Sequence, residues 1–157
     1  MTDDTKKPFN LNMHTARLLM REPFFAALSR RIDKIASTAI PTAGVRVNPD
    51  SAQFEMLYNP EFFEQLEDHH KLGILKHEFY HLIFEHVTNR KPADGLKRID
   101  NIAMDLAINC HIANELPSEA NPGPTIGKES MKACLPGEGM FKDLPPFKSY
   151  EWYLEAL

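Results

Sequence analysis

Apolar residues recur at helical spacing over most of this chain and alternate with polar ones in only one short stretch. Residues 1–10 are polar and read as frayed. Residues 11–21 carry a helical pattern. Pro23 suits the first turn of a second helix, and Phe24, Leu28, Ile32 and Ile35 extend that helix to about Ser37. Ile40-Pro41 breaks it. Residues 44–47 and 53–58 then read as short strands, joined by the turn chemistry of Asn48-Pro49-Asp50-Ser51. Within 53–58, Phe54, Met56 and Tyr58 alternate with Gln53 and Glu55, a half-buried ladder that Pro60 ends.

Helices dominate the chain after Pro60. A short one is expected over 61–66. A long one covers 69–90, with Asp68 as its N-cap and Pro92 and Gly95 closing it. A third runs over 98–116 until Pro117 stops it. Residues 117–148 are rich in proline and glycine and read as an irregular segment wrapping the domain, structural or lid-like. Residues 149–157 form a terminal helix, with Trp152 and Leu154 docking on the body. The expected class is α+β, mainly helical.

The chain has 157 residues, of which 43% are hydrophobic and 25% charged. That fits one soluble domain spanning 1–157. A net charge of -4 argues against a nucleic-acid partner. No apolar leader follows the start and no segment reaches membrane-spanning length, so a cytoplasmic location is expected. Cys110 and Cys134 are too few for a disulfide framework and read as reduced thiols.

The chemistry lies in His77-Glu78-Phe79-Tyr80-His81. Residues four apart on a helix differ in direction by about 40°, so both imidazoles leave one face and can share a cation. Glu78 lies about 100° round from His77, awkward for a ligand but well placed to reach a water on the metal. Two imidazoles and a carboxylate suit Zn2+, with a fourth position open for water. On the opposite face Leu72, Leu75, Phe79 and Leu82 supply a core stripe.

The third ligand must come from elsewhere. On a continuous helix His86, nine positions after His77, points to the opposite side. The 98–116 helix is apolar nearly all round and therefore buried, except for Asn101, Asp105 and Asn109 at spacing four. A buried carboxylate is costly unless it is paired or bound to metal. Asp105 is therefore taken as the third ligand, with Asn101 and Asn109 supporting it or touching substrate. Two alternatives stay open: Asp105 only orients a histidine, or Asp100 is the ligand. Glu85, one turn beyond His81, reads as a supporting or surface carboxylate.

The runs Leu57-Tyr58-Asn59-Pro60-Glu61-Phe62-Phe63, Ile74 to His86, and Asn101-Ile102-Ala103-Met104-Asp105-Leu106-Ala107-Ile108-Asn109, with the ending Ser149 to Tyr153, resemble a bacterial and phage family of predicted metallopeptidases. In many of its members the peptidase domain precedes a von Willebrand factor A-like domain. The resemblance runs from about Leu18 to the end. It implies a zincin-like fold: a small mixed sheet, an active-site helix bearing His77, Glu78 and His81, and a second helix presenting the acidic ligand. A protein or peptide substrate is expected for such a site. The sequence stops where the A-like domain would begin, so a partner protein in its place is a further expectation.

Other features are less specific. The 53–58 strand reads either as a sheet edge to which a peptide could add or as an ordinary strand. Tyr58 and Tyr80 are core residues or oxyanion donors. His69 and His70 read as a solvated helix start, and His111 as packing or surface. Two other functions compete with peptide hydrolysis: a catalytically silent module in a phage or defence complex, and a zinc amidase acting on a non-peptide substrate.

Overall fold

The computed structural model describes residues 21–84, 86, 93–126 and 128–157. The helix expected over 11–21 lies almost wholly outside them. The described chain is α+β. Five helices and a three-stranded mixed sheet pack around two apolar clusters, with a cleft lined by residues of the helices, the sheet and the later irregular segment.

Helix α1 (Pro23–Ser29) starts on its proline, as expected, but stops eight residues earlier than the apolar spacing predicts. Ile32 and Ile35 belong to strand β1 (Ile32–Ala36). Four apolar positions over twelve residues fit a helix, or a helix turning into a strand, and only pairing decides between them. Here β1 pairs in parallel with β3 (Phe54–Tyr58), with Ile32 opposite Phe54 and Ala36 opposite Tyr58. Strand β2 (Ala43–Val47) pairs antiparallel with β3, Val45 facing Met56. The Asn48 side chain builds the connecting turn, its Oδ1 accepting from the backbone N–H of Asp50 (2.9 Å) and Ser51 (3.2 Å).

The sheet order is β1-β3-β2. Strand 53–58 is therefore central and not an edge. Its ladder is buried on both faces at the middle, because Glu55 is covered as well as Met56 and pairs with Arg46 at 3.1 Å. Among the described residues β1 and β2 are the two edges.

Asn59 caps α2 (Pro60–Glu64), accepting from Glu61 N at 3.0 Å, and its amide donates to Ile40 O at 3.0 Å. Helix α3 (Asp68–Ile83) begins one residue earlier than expected. Glu67 takes the cap position and Asp68 is the first helical residue. Its buried face, including Leu72, Leu75, Phe79 and Leu82, packs with Phe25, Ile32, Met56 and Phe63 in the larger apolar cluster.

Two devices fix the depth of α3. An added Cβ on Gly73 would lie 1.9 Å from the carbonyl oxygen of Glu115, so only glycine admits the 3-10 turn Ala113–Glu115 this close. One turn on, Lys76 is buried and its ammonium is held by the Glu115 carboxylate (2.7 and 2.8 Å) and by Glu22. A lysine buried this far needs such partners. Both ties hold α3 from behind.

Helix α4 (Arg98–Asn109) is shorter than the 98–116 expected. Its start is tied by Asp100, which accepts from Lys97 N (2.9 Å) and from the Tyr150 hydroxyl (2.9 Å). Tyr150 belongs to α5 (Tyr150–Ala156), which Ser149 caps by accepting from Trp152 N at 3.2 Å. Tyr150 and Tyr153 dock α5 on Ala103, Met104, Leu106 and Ala107. Leu154 joins them as expected, whereas Trp152 is 38% exposed. The segment after Pro117 carries the small hairpin β4 (Thr125–Ile126) and β5 (Glu129–Ser130). Among the described residues no helix is long and apolar enough to cross a membrane.

Candidate metal centre

Helices α3 and α4 pack together, and His77, Glu78 and His81 of the first and Asn101, Asp105 and Asn109 of the second line one cleft. His77 Nε2 and His81 Nε2 are 3.1 Å apart. Asp105 Oδ1 lies 3.2 Å from the first and 3.3 Å from the second. These three atoms form a nearly equilateral triangle. The i, i+4 spacing on α3 explains the paired rings, and the stripe on α4 explains why Asp105 is the carboxylate they meet.

The donor set fits a zinc-like ion. Bonds of about 2.0–2.1 Å in a tetrahedral sphere hold ligand atoms about 3.3–3.4 Å apart. The triangle is within a few tenths of an ångström of that spacing, and its chemistry, two imidazoles and one carboxylate, is that of catalytic zinc sites.

Each ring is oriented from behind. His77 Nδ1 lies 2.6 Å from Asn109 Oδ1, and the Asn109 amide nitrogen donates to Cys134 O at 2.9 Å. With its nitrogen engaged there, Asn109 turns its oxygen to His77 as an acceptor. Nδ1 therefore carries a proton, and in the neutral ring the Nε2 lone pair faces the triangle. His81 is backed by His86, whose Nδ1 is 3.1 Å from His81 Nδ1 and whose backbone N–H donates to His81 O at 2.9 Å. For His81 to offer Nε2 as a ligand, its Nδ1 proton must go to His86.

This corrects the expectation for His86. Among the described residues α3 ends at Ile83, and Phe84 leaves helical geometry; the rest of the expected 69–90 helix, apart from His86, lies outside them. The chain then folds His86 back under His81, fully buried. Glu85, the other nearby candidate, lies outside the described residues. Asp100, the alternative ligand, is spent on the start of α4 and on Tyr150.

The electrostatics bind the cluster together. Burial disfavours charge on His77, but the Asp105 carboxylate outweighs it, with Glu78 and Asn109 helping, and its pKa is raised to about 9. Burial likewise pushes the Asp105 carboxyl up, and its two histidine neighbours overcome that and hold it far below the usual carboxylate range.

The triangle sits at the floor of a cleft of about 420 Å³. Glu78 is buried and lines it beside His77, and Asn101 and Asn109 line the α4 side. Thr42 to Val45, which lead into and form β2, make one wall. Met131 to Cys134, from the irregular segment, make another. Burial pushes the Cys134 thiol up to about 11, Asp105 adding to the effect, so it stays protonated in this wall. Tyr58 and Tyr80 are not among the cleft-lining residues. Tyr58 packs edge-on against Phe63 and Tyr80 against Phe25, each in the apolar cluster. His111 stacks on Tyr80 at 5.8 Å. His70 departs from expectation, because it is buried and not solvated.

A family model described as "Putative metallopeptidase domain" matches residues 6–151. The chain belongs to this metallopeptidase-domain family. Membership implies a metal ion, and the described residues offer two groups of histidine and carboxylate able to hold one: the triangle, and Glu67 with His69 and His70. No curated protein and no solved structure matches the chain.

Proposed function

We propose that the chain is a zinc-dependent metallopeptidase in which His77, His81 and Asp105 hold the ion and Glu78 is the general base. The observation that carries this reading is the convergence of two imidazole nitrogens and one carboxylate oxygen at 3.1, 3.2 and 3.3 Å, close to the edge of a tetrahedral zinc sphere. Bound there, zinc would polarise a substrate carbonyl and lower the pKa of a water to about 7.

The chain's own groups do the rest. Glu78, walled off from bulk solvent beside His77, takes a proton from the attacking water as its oxygen bonds to the carbonyl carbon. The same carboxyl then delivers that proton to the amide nitrogen as the C–N bond breaks. Asn109 and His86 keep the two rings turned toward the ion. The edge of β2 faces the cleft, so an extended peptide can add to it as a strand with its scissile bond over the α3 histidines. An edge strand beside a histidine-bearing helix is also what a zincin-like fold needs. Asn101, exposed on the first turn of α4, is placed to touch the passing chain.

Glu78→Gln tests the reading. The variant is expected to bind zinc as the parent does and to lose cleavage of a peptide library by about 100- to 10,000-fold. Cleavage at the parent rate would remove Glu78 from the base role. Cleavage that survives chelation of the metal would end the zinc mechanism.

A further inference from the structure

The start of α3 carries a second group of donors, distinct from the first. Glu67, His69 and His70 each offer one ligand atom, all within 4.8 Å of one another. His70 is only 1% exposed, an imidazole buried at a helix start that the sequence reads as solvated. Burial lowers its pKa and His69 adds to that, so at neutral pH it presents an uncharged ring. The peptidase chemistry proposed above makes no use of this histidine pair.

Asn121, on the irregular segment, reaches into the same spot. Its side-chain nitrogen lies 3.3 Å from His69 Nε2, 3.5 Å from His70 Nε2 and 3.5 Å from Glu67 Oε2. One amide nitrogen, with two protons, cannot satisfy three acceptors, and all three contacts are long. The amide can equally be turned over, which places its oxygen there. Four side chains, two offering nitrogen and two oxygen, would then lie close enough for one ion to draw them together, since the Glu67, His69 and His70 ligand atoms are within 4.8 Å of one another. The distances from Asn121 to its three neighbours fall close to the roughly 3.3–3.4 Å edge of a tetrahedral zinc sphere.

We propose that Glu67, His69, His70 and Asn121 form a second divalent-cation site of the zinc class, which fastens the irregular segment to the start of α3. Two imidazoles with oxygen donors favour zinc, copper or nickel over calcium or magnesium. The positive end of the α3 dipole opposes a cation here, and the Glu67 carboxylate offsets it. Glu67 and His69 are exposed enough to close on the ion, while buried His70 is fixed. The role is structural. Ser118 N and Ala133 N bond only within the segment's own turns, to Asn121 O and Pro117 O, so a cation on Asn121 would tie this loop to the helix directly. The loop continues into Met131 to Cys134, the cleft wall, so the site would also stiffen the cleft.

The test is zinc stoichiometry of the full chain, stripped with chelator and titrated with Zn2+ alone, for the parent, for His81→Ala and for the double variant Glu67→Gln/His69→Ala. Both altered residues of the double variant are exposed, and Glu67 makes no side-chain cap bond, so folding is expected to survive. A circular dichroism melt checks it. Two equivalents are expected in the parent and one in each variant. Zn2+ should also slow proteolytic nicking between 118 and 132 in the parent and in His81→Ala, but not in the double variant. A folded double variant that binds as many equivalents as the parent overturns the second site, as does zinc-independent nicking in all three proteins. The catalytic reading fails separately, if His81→Ala loses no zinc.

Discussion

Asn109 gives the most discriminating single substitution. Its oxygen accepts from His77 Nδ1 at 2.6 Å and its nitrogen donates to Cys134 O at 2.9 Å, so one side chain both aims a ligand and ties the cleft wall to α4. Alanine removes both bonds. A hydrogen bond contributes about 0.5–1.5 kcal/mol net, and a buried group left without its partner costs about 1–3 kcal/mol, so the folded state should lose about 2–4 kcal/mol. Losing a group that orients a histidine ligand lowers metal affinity by about 10- to 100-fold. Asn109→Asp separates the two effects. It keeps an acceptor for His77 and loses the donor to Cys134. Zinc affinity, measured by competition with a chromophoric chelator, should fall in the alanine variant and hold or rise in the aspartate variant. Urea unfolding should show both destabilised. If alanine and aspartate bind zinc equally tightly, Asn109 does not orient His77.

The same geometry sets the pH dependence of metal binding. Below pH 9 His77 carries a second proton on the Nε2 that faces Asp105, and zinc must displace it. Binding at pH 7 should therefore release about one proton more than binding above pH 9, and affinity should rise with pH over that window. Calorimetry in buffers of different ionisation enthalpy reads this directly, and equal release at both pH values would contradict it. In the metal-free protein the sign is opposite: a folded pKa raised above the ordinary 6.5 stabilises the fold fully below about 6.5, and that contribution is lost as pH climbs through 9. Gly73→Ala places a methyl 1.9 Å from the Glu115 carbonyl oxygen, and overpacking of that kind costs about 1–3 kcal/mol against the ~1 kcal/mol that alanine's helix preference returns. A variant as stable as the parent in urea would show that the 3-10 turn yields freely.

The elements of the site are those whose sequence signal is local. His77, Glu78 and His81 need only one continuous helix, and the stripe Asn101, Asp105 and Asn109 needs only a buried one, so both faces are legible from spacing alone. What spacing does not carry is where an element ends without glycine or proline. Ile32 and Ile35 sit in helical register with Phe24 and Leu28, yet they pair with a strand more than twenty residues later. His86 falls on the far side of a straight helix and reaches His81 only because α3 stops at Ile83. Lys76 shows the same limit. Its burial depends on Glu22 and Glu115, which are remote in sequence and meet only in the fold. Which strands form the edges is likewise a property of pairing order, and that order puts β1 and β2 there and 53–58 in the centre.

The most direct measurement is diffraction from zinc-soaked crystals at wavelengths on either side of the zinc absorption edge. An anomalous peak is expected about 2.0–2.2 Å from His77 Nε2, His81 Nε2 and Asp105 Oδ1, with open space on the side of Glu78. Loaded protein with no peak inside this triangle, or whose ion there has lost Asp105 to another donor, would contradict the zinc site.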